Sequence, residues 1–317
     1  MVSVLERPSG SCRAITTEVG RIQAVTSIRN WVFLGDSLTE GVGSQRVSHV
    51  TELVNQFRVE LNRSTPPTSV HHLRLRSVDP GGFDRFVHFN LAGYLNTDPY
   101  HDSARAFCIW NLACEGQTIE TDFGWLPLIA SIKPELVIIF RGSLESIIRP
   151  AMALDGLWPT WVPRTWRTYS SMDPRCYFSS TPWRRIKQST IDDLKQRTRL
   201  KLLKARPGKP LMDLDTLANH YLELVTRLQR FQARVLMLGL LPVGEYFPAS
   251  AAYFDEVNQR LLDISAEADA DFFDWGAPLR SNGFHEMLYR DTFHPNRTGA
   301  KKLADILRSY LSSRLIV

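Results

Sequence analysis

Two short segments near opposite ends of the chain contain residue types that serve nucleophilic catalysis. Gly35-Asp36-Ser37-Leu38 follows the apolar run at residues 31–34, and Asp291 lies three residues before His294. A serine hydroxyl becomes a nucleophile when a histidine accepts its proton and a carboxylate orients that histidine. Taken alone, the first segment also fits a helix cap after a strand, and the second fits a surface Asp–His pair. Together they favour a catalytic triad of Ser37, His294 and Asp291.

The elements of an α/β fold lie between these two segments. Near-continuous apolar runs, typical of buried parallel strands, alternate with amphipathic helical patterns. The predicted strands span residues 31–34, 106–113, 136–140, 234–241 and 271–275, and the predicted helices span residues 47–61, 118–131, 215–231, 251–268 and 297–312. We therefore expect a three-layer α/β/α sandwich around a five-stranded parallel sheet, with the site beyond the carboxyl ends of the strands.

These motifs, in this order, resemble the blocks of the GDSL, or SGNH, hydrolase family of serine esterases. The first block matches Gly35-Asp36-Ser37-Leu38 and the last matches Asp291 and His294, while the second is similar to Asn111 followed by Gly116. The resemblance implies a flavodoxin-like fold in which Ser37 is the nucleophile, His294 the base and Asp291 its partner. It also implies that the backbone amides of Ser37 and Gly116 donate to the oxyanion, and that no metal or cofactor is required.

The third block of the family departs from its pattern in this chain. The family has Gly-x-Asn-Asp after the third strand, and the Asn side chain is an oxyanion donor, whereas this chain has Gly142-Ser143-Leu144-Glu145. A leucine side chain cannot donate a hydrogen bond, and loss of one oxyanion donor typically lowers turnover ~10²–10³-fold. Arg141, Ser143 and Arg149 are the nearest candidates for a replacement donor or for substrate binding.

Length and composition are those of a globular protein. The 317 residues are 44% apolar and 22% charged, which excludes fibrous and disordered classes. We expect a single domain over residues 1–317 with two long insertions, at about 65–103 and about 150–214. The formal net charge of +5 is unevenly distributed, because residues 141–210 contain fifteen Lys or Arg and only five Asp or Glu. The rest of the chain is therefore acidic.

The second insertion is basic and rich in tryptophan, with a predicted helix over residues 186–203. Its tryptophans are Trp158, Trp161, Trp166 and Trp183. One interpretation is a lid over Ser37, whose aromatic rings would bind an acyl chain or sugar and whose arginines would bind an anion. A solvated face is a second interpretation. A nucleic-acid surface has less support because no nucleic-acid motif accompanies the charge, and docking to a protein or a membrane surface stays open.

Three functions fit these observations. The first is hydrolysis of a small-molecule carboxylic ester through an acyl-enzyme on Ser37. The second is an acyltransferase that moves the acyl group to a hydroxyl or amine of a sugar or secondary metabolite, with an acidic ligand suggested by the basic insertion. The third is a non-catalytic binding protein on a hydrolase fold, which Leu144 motivates. The sequence does not separate hydrolysis from transfer, and it leaves the oligomeric state open.

Cysteine usage and hydropathy indicate a cytoplasmic protein. The four cysteines, Cys12, Cys108, Cys114 and Cys176, form no Cys-x-x-Cys pair and no zinc-like spacing. The first thirty residues contain no continuous apolar segment of the kind found in secretory signals. No window approaches the ~18 apolar residues of a membrane span. We therefore expect a reducing, cytoplasmic location and no membrane span.

Overall fold

A computed structural model of the chain describes residues 29–41, 48–61, 69–72, 107–113, 116–150, 160, 181–206, 208–280, 284–288 and 291–314. Most of the first predicted insertion lies outside these residues. So do Trp158, Trp161 and Trp166 of the second insertion, and Cys12, Cys114 and Cys176.

Parallel strands form the centre of the protein. The strands are β1 Arg29–Gly35, β2 Ser69–His72, β3 Phe107–Asn111, β4 Leu136–Phe140, β5 Arg149–Pro150, β6 Gly208–Lys209, β7 Arg234–Leu238 and β8 Asp271–Phe273. Six of the strands in the described part of the chain pair in the order β2-β3-β1-β4-β7-β8, and every pairing in this sheet is parallel. The five predicted strands are all present, and among themselves they follow the flavodoxin-like order 2-1-3-4-5.

The sheet has one strand more than the hydropathy pattern indicates. β2 lies within the first predicted insertion and pairs with the edge of β3. Its four residues, Ser-Val-His-His, contain no apolar run. Backbone hydrogen bonds are sufficient to add an edge strand, so its presence left no signal in the apolar pattern that identified the other five.

Helices follow the strands. The helices are α1 Ser37–Glu40, α2 His49–Leu61, α3 Ile119–Asp122, α4 Leu126–Ile132, α5 Ser143–Ser146, α6 Pro182–Ala205, α7 Leu214–Gln229, α8 Pro248–Glu267, α9 Ala277–Arg280 and α10 Arg297–Arg314. The helix predicted over residues 118–131 is divided into α3, a 3₁₀ turn at Phe123–Trp125, and α4. Pro127 explains the division, because it lacks an N–H and is accommodated only in the first turn of a new helix.

Burial shows that both faces of the sheet are covered. All five side chains of β4 are at most 2% exposed, although successive residues of a strand point to opposite faces. α2 packs against α10, and α7 packs against α3 and α8. The apolar stripe of α7 is entirely buried; its members are Leu217, Tyr221, Leu224, Val225 and Leu228. A parallel sheet with helices on both faces accounts for the near-continuous apolar runs in the sequence.

The strand register brings three loops to one edge of the sheet. Phe33 of β1 lies opposite Asn111 at the end of β3, and Gly35 lies opposite Phe140 at the end of β4. The strands that follow β1 in the chain lie on both sides of it in the sheet, so the strand order reverses there. Open α/β sheets bind ligands in the crevice at such a switch point. The segments that contain Ser37, Gly116 and Ser143 therefore leave neighbouring strand ends.

The two ends of the second insertion meet in a short antiparallel pair. Arg149 pairs with Lys209 and Pro150 with Gly208. A Cβ at Gly208 would lie 2.4 Å from the backbone oxygen of Arg149, so this close approach requires glycine. The chain thus returns to the point from which the insertion departs.

Helix α6 makes up most of the described part of that insertion, and hydrogen bonds attach it to residues on either side of the insertion. Arg199 donates to the backbone oxygen of Ile148 at 2.5 Å, and Asp193 accepts a 2.6 Å hydrogen bond from the Tyr246 hydroxyl. Trp183 lies on α6 with 71% of its surface exposed. Among the helices that the structure describes, none has the length and apolar character needed to cross a bilayer.

Candidate active site

Ser37 lies in a tight turn between β1 and α1. Asp36 caps this short helix, because its Oδ1 accepts a 2.9 Å hydrogen bond from the backbone N–H of Leu38. A Cβ at Gly35 would lie 2.1 Å from Oγ1 and 2.4 Å from Cβ of Thr39, whose side chain is fully buried. Glycine is therefore required where the strand turns into the helix. The turn places Ser37 just beyond the carboxyl end of β1, with its side chain half-buried.

Two hydrogen bonds connect Ser37 to the loop before α10. Ser37 Oγ lies 2.9 Å from His294 Nε2, and His294 Nδ1 lies 2.7 Å from Asp291 Oδ2. Asp291 Oδ1 accepts from the backbone N–H groups of Phe293 and His294, each at 3.0 Å, so the carboxylate is fixed within its own loop. A serine nucleophile, its base and an orienting acid require contacts of this kind.

Neighbouring segments hold this Asp–His loop in place. The Asn296 side chain donates to the backbone oxygen of Glu286 at 2.8 Å, and its backbone N–H donates to that of Met287 at 2.7 Å. On the other side, the Gly244 N–H donates to the Thr292 oxygen at 2.8 Å. A Cβ at Gly244 would lie 2.4 Å from Thr292 Cβ, so glycine allows this approach. The position of His294 therefore depends on the loop after β7 as well as on its own motif.

The second block links β3 to the nucleophile turn. Asn111 is buried; its side chain donates to the Thr39 oxygen at 3.3 Å and accepts from the Ala113 N–H at 3.1 Å. Gly116 is exposed and has a φ of 73°, in the left-handed region that favours glycine. Among the described residues, no atom lies within 4 Å of the position that a Cβ on Gly116 would take. Asn111 thus has a structural contact, whereas Gly116 lies on an open part of the loop.

Arg141, a predicted replacement donor, takes part in a buried ion pair. Its Nε and Nη2 donate to the two carboxylate oxygens of Asp122 at 2.8 and 2.6 Å, and both side chains are fully buried. Its Nη1 donates to the Gln117 oxygen at 2.9 Å. Burial raises the pKa of Asp122, and the facing guanidinium opposes that rise. All three guanidinium nitrogens donate to protein oxygens, and the role of Arg141 as a replacement oxyanion donor stays a prediction.

Arg149 and Ser143, the other two candidates, are both buried. Arg149 donates to the backbone oxygens of Leu144 and Ile147 at 2.7 and 3.0 Å and so fixes the turn after α5. Its role as a replacement donor or in substrate binding stays a prediction. The Ser143 hydroxyl is buried and has no hydrogen-bond partner in the part of the chain that the structure describes. Its role as a donor stays a prediction.

Glu145 follows Leu144 and faces the second block. Its Oε1 accepts a 2.6 Å hydrogen bond from the backbone N–H of Ile119, the first residue of α3. Burial raises the pKa of Glu145 to about 7, against the opposing effects of Arg141 and of the Ile119 hydrogen bond. The third block thus contacts the loop that contains Gly116 through a side chain other than the one at position 144.

Two residues of this network had no signal in the sequence. Asp122 lies in a segment predicted to be a simple helix, and Tyr221 was assigned to the apolar stripe of α7. In the structure the Tyr221 hydroxyl donates to the backbone oxygen of Arg141 at 2.8 Å. An acidic residue on a helix that follows a buried strand has many solvated alternatives, so only the fold identifies Asp122 as the partner of Arg141.

The Ser–His–Asp hydrogen-bond chain lies at the carboxyl edge of this parallel sheet. Serine hydrolases use the same arrangement of side chains on several unrelated folds. The model of the GDSL-like lipase/acylhydrolase family matches residues 33–302. The chain therefore belongs to the GDSL-like lipase/acylhydrolase family. No curated protein is significantly similar to it in sequence.

Solved structures of esterases share its fold. A mutant of Axe2, an acetyl-xylooligosaccharide esterase from Geobacillus stearothermophilus, aligns with a TM-score of 0.50 and 14% identity over 90% of this chain and 94% of that one. The psychrotrophic esterase EstA from Pseudoalteromonas sp. aligns with a TM-score of 0.48 and 13% identity over 91% of this chain and 100% of that one. At such low identity, the Axe2 alignment is informative about the fold alone.

Proposed function

We propose that this protein hydrolyses a carboxylic ester through an acyl-enzyme on Ser37. One observation carries the proposal: the unbroken hydrogen-bond chain from Ser37 Oγ to His294 Nε2, at 2.9 Å, and from His294 Nδ1 to Asp291 Oδ2, at 2.7 Å. Ser37 and His294 are 257 positions apart in the chain. The fold itself does not require three side chains from two loops to align in this way.

The chemistry proceeds in two displacement steps. Ser37 Oγ attacks the ester carbonyl while His294 Nε2 takes its proton, and Asp291 accepts the hydrogen bond of Nδ1–H throughout. The tetrahedral intermediate collapses as His294 returns the proton to the departing alkoxide, which leaves as an alcohol. A water molecule then attacks the acyl-enzyme in the same way, and the products are the free acid and regenerated Ser37.

The oxyanion is stabilised by fewer donors than the family pattern provides. The backbone amides of Ser37 and Gly116 donate to the developing negative charge, and Leu144 contributes nothing. Loss of one donor typically costs ~10²–10³-fold in turnover, so this hydrolase is slower than a three-donor relative with the same triad. The substrate is a small-molecule ester, and the basic character of residues 141–210 favours one that bears a negative charge.

Substitution of Ser37 tests the proposal. The Ser37→Ala variant is expected to lose hydrolysis of short p-nitrophenyl esters, and a fluorophosphonate should label the wild-type protein at Ser37 alone. Ser131→Ala is the matched control, because Ser131 is exposed and donates only to its own helix. Wild-type turnover in Ser37→Ala, or labelling at a serine other than Ser37, would contradict the proposal.

A further inference from the structure

The loop at residues 116–119, here called the oxyanion loop, is held from both sides by residues that flank Leu144. We propose that Arg141 and Glu145 are positioning residues, which hold this loop so that the Gly116 amide points at the oxyanion. The inference rests on the proposed function. It assigns a role to the charged residues at the two ends of segment 141–145, which contains Leu144.

The first contact is made by Arg141 at the residue next to Gly116. Its Nη1 donates to the Gln117 oxygen at 2.9 Å, while the bidentate pair with Asp122 fixes the plane of the guanidinium. A guanidinium whose plane is fixed in this way presents the N–H groups of Nη1 in fixed directions. The carbonyl of Gln117 is therefore fixed relative to the end of β4.

The second contact is made by Glu145 at the other end of the oxyanion loop. Thr118 is the N-cap residue of α3, but its side chain makes no capping hydrogen bond. Glu145 supplies an acceptor for the start of this helix instead, because its Oε1 lies 2.6 Å from the Ile119 nitrogen. A short helix whose first N–H lacks an acceptor frays, so Glu145 fixes the point at which the loop ends.

Gly116 itself has little that would determine its orientation. It is exposed, its φ of 73° is one that glycine leaves easily, and no atom of the described residues lies within 4 Å of the position of a Cβ. The direction of its N–H therefore depends on the residues that follow it. With Leu144 in place of a donor, Gly116 supplies one of two remaining hydrogen bonds, and an error of ~1 Å in such a group costs on the order of 10²-fold in rate.

A purely structural role for these residues makes a different prediction. If Glu145 and Arg141 served only to stabilise the fold, their removal would lower stability and leave the turnover of folded molecules unchanged. Burial raises the pKa of Glu145 to about 7, which means that the charged carboxylate is unfavourable in its buried position. Replacement by leucine removes this cost, but it also removes the hydrogen-bond acceptor of Ile119. Turnover and stability are therefore expected to change independently.

The test compares Glu145→Leu, Glu145→Gln and Ile119→Pro, with p-nitrophenyl acetate as the substrate. Glu145→Leu removes the acceptor, and Ile119→Pro removes the donor at a helix position where proline is tolerated. Because the Ile119 side chain is fully buried, Ile119→Val, which shortens that side chain and keeps the N–H, is the packing control. We expect kcat to fall ~10- to 100-fold in Glu145→Leu and in Ile119→Pro, with little change in KM, and the double variant to be no slower than the slower single one. Glu145→Gln retains an accepting oxygen and should keep nearly all of the wild-type kcat.

A matched control and a labelling experiment separate the possible results. Asp271→Ala removes a carboxylate that accepts from Arg234 at the amino ends of β8 and β7, at the sheet edge opposite to the oxyanion loop, and it should leave kcat unchanged. Wild-type kcat in a folded Glu145→Leu or Ile119→Pro variant would overturn the inference, as would a Glu145→Gln variant as slow as Glu145→Leu. Failure of a fluorophosphonate to label wild-type Ser37 would instead contradict the proposed function itself.

Discussion

Leu144 is the residue that most distinguishes this site from the family pattern. It follows Ser143 in the first turn of α5, and its backbone oxygen accepts a 2.7 Å hydrogen bond from Arg149, which keeps the turn in place. The turn is thus held through its backbone, and a leucine side chain stands where the family pattern has an asparagine. In the proposed mechanism, this difference removes one hydrogen bond to the oxyanion.

Restoring that side chain should accelerate the reaction. We expect Leu144→Asn to raise kcat on p-nitrophenyl acetate ~10-fold or more, because a third donor would stabilise the oxyanion in the transition state. Leu144→Ala, which shortens the side chain without adding a donor, is the control. An equal increase in both variants would mean that leucine acts by steric hindrance, and the hydrogen-bond explanation would be wrong.

At the scale of secondary-structure elements, the active site depends on short turns that begin where strands end. The turn from β1 into α1 is the tightest of these, because the buried Thr39 side chain occupies the space beside Gly35. The loop before α10 is held in turn by the loop after β7, through Gly244 and Thr292. A change of one methyl group in such a turn is expected to displace a catalytic group.

Gly35→Ala tests how closely the turn after β1 is packed. The added Cβ would lie 2.1 Å from Thr39 Oγ1, so either the strand end or α1 must move. We expect the free energy of unfolding to fall by about 1–3 kcal/mol, as in overpacked cores, and kcat to fall with it as Ser37 shifts. Gly124→Ala is the matched control, since a Cβ there meets nothing within 4 Å. Urea unfolding and steady-state kinetics of both variants provide the comparison.

At the scale of the whole molecule, buried titratable groups determine how stability depends on pH. His49, on α2, is buried between the rings of Phe140 and Trp275, at centroid distances of 6.1 and 4.8 Å. Burial lowers the pKa of His49 from 6.5 to about 3. Glu145 is shifted in the opposite sense, from 4.5 to about 7. As the pH falls, protonation of His49 therefore disfavours the folded state, whereas protonation of Glu145 favours it.

His49 is expected to destabilise the protein in acid. A group with a depressed folded-state pKa contributes stability that is present above the unfolded pKa, near 6.5, and is lost as the pH falls towards 3. The loss approaches about 1.4 kcal/mol per pH unit within that window. His49→Phe keeps an aromatic ring without a titrating group, so its urea midpoint should decline less than that of the wild type between neutral pH and about pH 4. Parallel declines would contradict this explanation.

Glu145 has the opposite effect. Because its folded-state pKa is raised, its contribution to stability is fully present below about 4.5 and is lost as the pH rises through about 7. Glu145→Gln removes this titration. The variant should therefore gain stability relative to the wild type as the pH rises through this window, as measured by urea unfolding at several pH values. A constant difference in stability would show that Glu145 does not titrate there.

Much of this architecture is local enough to be predicted from the sequence. Buried parallel strands are apolar on both faces, so β3, β4 and β7 left near-continuous apolar runs, whereas β1 and β8 left shorter ones. The Gly-Asp-Ser turn and the Asp–His pair are short motifs whose residue types indicate their chemistry, so the sequence alone predicts Ser37, Asp291 and His294 as the catalytic residues. The structure then places Ser37 Oγ within 2.9 Å of His294 Nε2.

The interactions around the oxyanion loop were beyond such prediction. The Arg141 guanidinium donates to Asp122, 19 residues away, and Glu145 accepts from Ile119, 26 residues away, and no local pattern indicates either partner. β2 was missed as well, since an edge strand pairs through its backbone and needs no apolar run. Sequence motifs specify which groups can react, because reactivity resides in single side chains. Which charges are buried, and which partner each one meets, depends on how distant segments pack, and the tertiary fold alone determines that.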